Sequence, residues 1–192
     1  MVRAAATLMA LALALLTASA AGRGSDLPVI GSAPGFDLIS QDGRQLSLRD
    51  LRGKVVVVTF MFATCADACP LLTARLSALR KRLGADFGSR VAFVSITVDP
   101  AQDTPEVLRQ YADLHGARVP GWSFVTGPPK VIRAVATGYG VVYGGKAGGA
   151  IDHTFLTSVV DGGGNLRVQY IGTRFEVDEL LKDIRSLIRE GG

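Results

Sequence analysis

Residues 55–70 read Val-Val-Val-Val-Thr-Phe-Met-Phe-Ala-Thr-Cys-Ala-Asp-Ala-Cys-Pro, a strand-forming run that ends at the only two cysteines of the chain. Such a continuous β-branched run is typical of a central strand covered on both faces. Pro70 suits the first position of a helix, which is predicted to extend to Leu83. The sequence therefore places Cys65 and Cys69 at a strand-to-helix turn, the edge at which open α/β sheets favour their active sites.

On either side of this turn, the chain contains further segments of alternating type. Strands are predicted at 91–98, 122–126, 153–160 and 166–171, and helices at 103–114, 128–137 and 175–189. Asp103 or Thr104 is predicted to cap the helix that follows them. Asp42-Gly43 predicts an N-terminal hairpin, whereas the glycine-rich segment 138–150 is predicted to be irregular. This order indicates an α/β fold with a mixed central sheet flanked by helices.

The N-terminus has the layout of a secretory signal peptide over residues 1–21. Arg3 supplies a positive charge, residues 4–16 are almost entirely apolar, and an Ala-x-Ala site follows. An uncleaved signal that anchors the protein in the inner membrane is the alternative. Residues 22–30 are predicted to be a linker, and residues 31–190 a single domain with a proper core. We therefore expect an exported, periplasmic protein.

The charge of the chain bears on its partners. The net charge is +4 over 192 residues, and the lysines and arginines are scattered. No basic stripe with interleaved aromatic residues is present, which argues against nucleic acid as a partner. We expect the protein to be a monomer.

Two thiols this close together can form a disulfide or hold one soft metal ion. A helix N-terminus favours thiolate, which is both the redox nucleophile and the metal-binding form, so the position alone does not separate the two chemistries. A purely structural disulfide would contribute only about 2 kcal/mol in so short a loop. Disulfide oxidoreductases typically have two residues between their cysteines. The wider spacing of Cys65 and Cys69 lets both sulfurs point at a common centre.

Of the two histidines in the chain, one is a candidate ligand. His115 is predicted to end a helix, where a cation is favourable. His153 follows the glycine-rich segment, at the start of a predicted strand, and could be a surface residue, a core residue or a third ligand. Two sulfurs with one imidazole suit Cu(I), and Cu(II) with an extra ligand. Structural zinc would require a fourth protein ligand.

Three motifs, taken together and in order, resemble the Sco/SenC family over about Gly31 to Ile188. They are Cys65-x-x-x-Cys69-Pro70, then Val98-Asp99-Pro100-x-x-Asp103-Thr104-Pro105, then Asp152-His153 before a strand. Members of this family are thioredoxin-fold copper chaperones involved in assembling cytochrome c oxidase. The resemblance implies a thioredoxin-like fold and one copper ion per chain, as Cu(I) or Cu(II), with Cys65, Cys69 and His153 as its ligands.

The resemblance also implies a function and partners. The chain would be a metallochaperone that passes copper to the binuclear copper centre of cytochrome c oxidase subunit II, with another periplasmic copper chaperone as a second expected partner. Two positions depart from the family pattern. Ala66 stands where a proline usually follows the first cysteine, and Thr154 stands where a serine usually follows the histidine. Neither change removes a ligand.

A thiol–disulfide oxidoreductase is the alternative function. It would reduce the target's cysteine pair, with Cys65 and Cys69 as catalytic residues and Cys65 as the attacking thiol. Typical thioredoxin-like reductases carry a proline just before the strand that faces their cysteines, and none lies between Lys130 and His153. A peroxiredoxin would have a threonine three residues before its reactive cysteine, and Phe62 stands there for Cys65.

Overall fold

The computed structural model describes residues 27–147 and 150–191. The predicted signal peptide and the first part of the predicted linker lie outside these ranges. Among the helices within them, none combines the length and the apolar character needed to cross a bilayer.

The described residues form ten strands, of which eight build one mixed sheet. The strands are β1 (Gly31–Ser32), β2 (Asp37–Ser40), β3 (Gln45–Ser47), β4 (Val55–Met61), β5 (Val91–Thr97), β6 (Trp122–Thr126), β7 (Tyr143–Ala147), β8 (Ala150–His153), β9 (Leu156–Val160) and β10 (Asn165–Ile171). The order in the large sheet is β1-β10-β9-β4-β5-β6-β2-β3, and β7 pairs with β8 separately. The predicted N-terminal hairpin is confirmed as the β2–β3 pair.

Four α-helices flank the sheet in the described part of the chain. They are α1 (Ala68–Leu83), α2 (Pro105–Leu114), α3 (Pro129–Gly138) and α4 (Val177–Glu190). All four lie where the sequence predicts a helix, with ends that differ by one or two residues. The predicted α/β class with a mixed sheet is therefore confirmed.

The centre of the molecule is the parallel pair β4 and β5, in which every residue is buried. Parallel crossovers are right-handed, so α1 and α2, which connect β4, β5 and β6, lie on one face of the sheet. A hydrogen bond of 2.9 Å between Thr73 Oγ1 and the Tyr111 hydroxyl joins these two helices. On the opposite face, the ring of Tyr139 at the end of α3 packs 5.7 Å from Phe60.

Buried hydroxyl groups connect the three central strands. Ser95 Oγ lies 3.1 Å from Thr59 Oγ1 on β4, and it accepts a hydrogen bond of 3.1 Å from Trp122 Nε1 on β6. All three side chains are at most 2% exposed. A buried polar group without a partner is costly. Ser95 removes this cost for both Thr59 and Trp122, because it forms a hydrogen bond with each of them.

A buried arginine ties several elements together at one end of the sheet. Arg167 on β10 forms ion pairs of 2.9 Å with Asp161 and 3.0 Å with Glu190. It also donates hydrogen bonds to the backbone carbonyls of Leu27 and Pro28. The start of the described chain, the β9–β10 turn and the end of α4 are thereby held at one point.

The glycine-rich segment differs from its prediction. Instead of being irregular, it forms the β7–β8 hairpin, in which Tyr143 pairs with His153. His153 consequently ends β8, and the strand predicted from 153 begins only at Leu156. The hairpin is defined by backbone pairing, and glycines supply no alternation of apolar side chains from which a strand could be predicted.

Replacing Ser95 with alanine should lower the free energy of unfolding by about 1–3 kcal/mol, because Thr59 and Trp122 would each lose a buried partner. Ser123→Ala is the matched control. Its side chain alternates with that of Trp122 and points to the other face, so a change within about 0.5 kcal/mol is expected. Urea denaturation followed by circular dichroism would measure both values. Equal losses for the two variants would contradict the role assigned to Ser95.

Candidate functional site

The cysteine loop, residues 62–67, connects β4 to α1. It carries Cys65, and Cys69 is the second residue of α1. Pro70 is the third helical residue rather than the predicted first. This is compatible with helix geometry, because the amide groups of the first turn have no acceptor within the helix and a proline there forfeits no hydrogen bond.

The two cysteines are in contact but differ in exposure. Both thiols are free in the structure, and Cys65 is half-buried whereas Cys69 is 0% exposed. The Cys69 backbone amide donates a hydrogen bond of 3.3 Å to Cys65 Sγ. The amide of Cys65 donates to the Phe62 carbonyl at 3.2 Å, which closes a turn in the loop. Cys65 therefore presents the accessible sulfur and Cys69 the protected one.

Burial changes the acidity of the protected thiol. Removal from water raises the pKa of Cys69, and its hydrogen-bonding contact with Cys65 raises it further. Cys69 is consequently a neutral thiol at neutral pH when no metal is bound. Any metal that takes its sulfur as a thiolate must displace a proton.

His153 lies at the end of β8, with its ring held between aromatic side chains. The ring is 7% exposed and packs 5.7 Å from Phe62, edge to face, and 4.3 Å from Phe155. Its Nδ1 lies 3.2 Å from the carbonyl oxygen of Thr154. A carbonyl can only accept, so this contact assigns the proton of the neutral ring to Nδ1 and leaves the lone pair on Nε2.

The three predicted ligands are thus only partly brought together. Cys65 and Cys69 are in contact, and His153 packs against Phe62, three residues before Cys65 in the same loop. Across the described ranges, no cluster of three or more His, Cys, Asp or Glu side chains is arranged to hold a metal. A three-ligand site would therefore require the β7–β8 hairpin to bring His153 closer to the two cysteines when metal binds.

Of the two residues predicted to cap α2, Thr104 is the cap and accepts from the Val107 amide at 3.4 Å, whereas Asp103 has a different role. Asp103 is instead 1% exposed, and its Oδ2 accepts from the Ala63 amide at 3.1 Å and from Thr97 Oγ1 at 2.5 Å. Its burial raises the pKa of this carboxyl. Asp103 thus joins the cysteine loop to the end of β5.

The sequence offers one indication that Asp103 has a partner other than the helix it precedes. Thr104 and Pro105 already supply a cap and a first helical residue, so an acidic side chain just before them is not needed for capping. The local sequence cannot identify its partner, because Ala63 is 40 residues away.

The prediction for His115 is confirmed: it ends α2, and its ring packs 4.3 Å from Tyr111.

Comparison with known proteins gives a family for the chain. The family model SCO1/SenC matches residues 30–189. The SCO1 protein homolog of Bacillus subtilis (strain 168) is 36% identical over 92 residues, which cover 48% of this chain and 47% of that protein. The chain thus spans about half the length of that curated relative.

Two solved structures extend the comparison to the whole fold. A SCO1/SenC family lipoprotein from Bacillus anthracis str. Ames superposes with a TM-score of 0.78 at 26% identity, covering 85% of this chain and 99% of that one. Arabidopsis thaliana ScoI, solved with copper bound, gives a TM-score of 0.70 at 30% identity, covering 81% and 98%. The chain has a thioredoxin-like fold and belongs to the SCO1/SenC family.

Proposed function

We propose that the chain is an exported metallochaperone that binds one copper ion per chain through Cys65, Cys69 and His153. It delivers this copper to the binuclear copper centre of cytochrome c oxidase subunit II. The observation that carries the proposal is the pair of contacting cysteines between β4 and the first turn of α1, with Cys65 half-buried and Cys69 fully buried.

The donor set supports copper as the cargo. Two cysteine sulfurs and an imidazole nitrogen are soft ligands that match Cu(I), and Cu(II) can use the same three with one further ligand. Nε2 of His153 carries the lone pair that a metal needs, because Nδ1 is directed to the Thr154 carbonyl. The copper-bound structure of the A. thaliana relative supports the same cargo for this chain.

The unequal burial of the sulfurs supports release by ligand exchange. An incoming thiolate or imidazole from the recipient reaches the copper first on the side of Cys65, the half-buried residue. Cys69 lies behind it at 0% exposure and is the last ligand to leave. Exchange one ligand at a time keeps the ion coordinated throughout the transfer.

The proposed location is outside the cytoplasm. Residues 1–21 have the charged, apolar and Ala-x-Ala regions of a secretory signal. The B. anthracis relative is described as a lipoprotein, which supports an exported or membrane-associated protein. An uncleaved signal would leave the protein anchored in the inner membrane.

The three-ligand site predicts a specific difference between the two histidines. In an anaerobic competition with a chromophoric Cu(I) chelator, the reduced protein should bind one ion. His153→Ala should weaken this affinity at least about tenfold, or about 1.4 kcal/mol, because it removes a ligand.

The matched control is His115→Ala, which removes the other histidine at the end of α2 and should leave the affinity unchanged. Cys65→Ser and Cys69→Ser should each abolish competitive binding. If His153→Ala and His115→Ala behave alike, His153 is not a ligand. If the wild-type protein does not compete for Cu(I), the copper-binding proposal is wrong.

The raised pKa of Cys69 predicts that copper binding depends on pH. Its thiol holds a proton in the metal-free protein at neutral pH and must release it to bind as thiolate. Apparent Cu(I) affinity should therefore continue to rise by about tenfold per pH unit between about pH 9 and pH 10, where an ordinary thiol is already largely ionised. Chelator competition across this range, corrected for the chelator's own protonation, measures the slope. An affinity independent of pH would contradict a protonated Cys69.

The contact between the Cys69 amide and the Cys65 sulfur also supports the second candidate, thiol–disulfide exchange. Cys65 is accessible to a target disulfide, and Cys69 lies directly behind it, where a resolving thiol is needed. Attack by the Cys65 thiolate would form a mixed disulfide and release one target thiolate. Attack by Cys69 on Cys65 would then release the second and leave Cys65–Cys69 oxidised.

The two cysteines should behave differently in a trapping experiment. With a disulfide-containing peptide as target, Cys69→Ser should accumulate a mixed disulfide at residue 65, because the resolving thiol is absent. Cys65→Ser should accumulate little, since Cys69 is buried. Mass spectrometry of the quenched reaction distinguishes the two. Equal trapping by both variants would exclude the assigned order of attack.

A further inference from the structure

The loops that follow β4 and β5 are joined by one buried carboxylate. Asp103 is 1% exposed, yet it lies between the first residues of the cysteine loop and the last residue of β5. Its Oδ2 accepts two hydrogen bonds, from the Ala63 amide at 3.1 Å and from Thr97 Oγ1 at 2.5 Å. A single oxygen atom thereby connects two segments that are far apart in sequence.

The segment that follows β5 and carries Asp103 is itself held in place by hydrogen bonds. The Asp99 amide donates to Thr97 Oγ1 at 2.9 Å, and the Asp103 amide donates to the Asp99 carbonyl at 2.9 Å. The Val98 amide donates to the Met61 carbonyl at 2.8 Å, which extends the pairing of the two strands beyond their ends. Asp103 thus reaches the cysteine loop from a segment anchored to the sheet.

Stability alone does not account for a buried polar side chain at this position. Oδ1 of Asp103 is buried and has no hydrogen-bond partner among the described residues. Burying an unpaired acceptor is costly, and an apolar side chain would avoid that cost. Costly polar groups of this kind are concentrated at functional sites.

We propose that Asp103 is a positioning residue of the copper site, which fixes the turn that carries Cys65 through the Ala63 amide. The inference rests on the proposed function and adds to it a residue that is not a ligand. Ala63 lies two positions before Cys65, next to Phe62, whose carbonyl accepts from the Cys65 amide at 3.2 Å. Holding Ala63 therefore sets where Cys65 Sγ meets the Cys69 amide.

The geometry explains why one hydrogen bond has this effect. The cysteine loop is fixed at its far end by α1 and at its near end by β4, with Cys65 between them. A metal site requires its ligands to be held within about half an ångström of their bound positions. Without Asp103, the near half of the loop would be free to shift, and Cys65 with it.

Two substitutions at Asp103 separate its hydrogen bonds from its charge. Asp103→Ala removes the acceptor and should weaken Cu(I) binding by about 10- to 100-fold, the usual effect of losing a group that orients a ligand. Asp103→Asn keeps an oxygen that can accept from Ala63 and Thr97, and its affinity should stay within about threefold of wild type. Chelator competition measures both.

Ser95→Ala is the control for general destabilisation, since it weakens the core without touching the cysteine loop. Its Cu(I) affinity should equal that of wild type. If Asp103→Ala does not fold, Thr97→Val still tests the idea. It removes one of the two donors to Oδ2 and should weaken binding in the same direction by a smaller factor. An Asp103→Ala variant with wild-type affinity would overturn the proposal.

A second measurement works without copper. In the reduced, metal-free protein, Asp103→Ala should accelerate hydrogen–deuterium exchange at the Ala63 and Cys65 amides, whereas Asp103→Asn and Ser95→Ala should not. Unchanged exchange in Asp103→Ala would overturn the positioning role. Failure of the wild-type protein to bind Cu(I) would instead overturn the proposed function, so the two failures are distinguishable.

Discussion

The parallel pairing of β4 with β5 is the constraint on which the rest of the structure depends. Its register sets Met61 opposite Thr97, so both strands end at the same edge of the sheet. The loops that follow begin side by side, and Asp103 in the second can reach Ala63 in the first. The buried valines of β4, although they take no part in the chemistry, thus determine where the cysteines lie.

Burial then gives different roles to two side chains that are chemically identical. Cys65 and Cys69 are four positions apart, but only Cys69 lies wholly within the core. Ligand exchange and disulfide exchange each need one accessible sulfur backed by a protected one, so the same asymmetry suits both. The arrangement of the pair therefore does not choose between metal transfer and thiol reduction, and the copper-bound structure of the A. thaliana relative is what favours copper.

Much of this arrangement could be predicted from the sequence, because its signals are local. The run of β-branched residues before Cys65 defines β4, and the proline after Cys69 marks the start of α1. The β7–β8 hairpin could not be predicted, since backbone pairing holds it and its glycines show no period. The sequence allows either Asp103 or Thr104 as the cap of α2, and only the tertiary contact with Ala63 reveals the partner of Asp103.

The contacts of Arg167 determine at which end of the molecule the start of the described chain lies. It holds Leu27 and Pro28 beside the β9–β10 turn, and that turn contacts Gly53 just before β4 begins. The seven residues of β4 separate this end from the cysteine edge by about 20 Å. Any segment that precedes residue 27 is thus attached at the end of the molecule opposite the thiols. On a bilayer, such a tether would turn the thiols towards the aqueous phase, and a recipient could dock without meeting lipid.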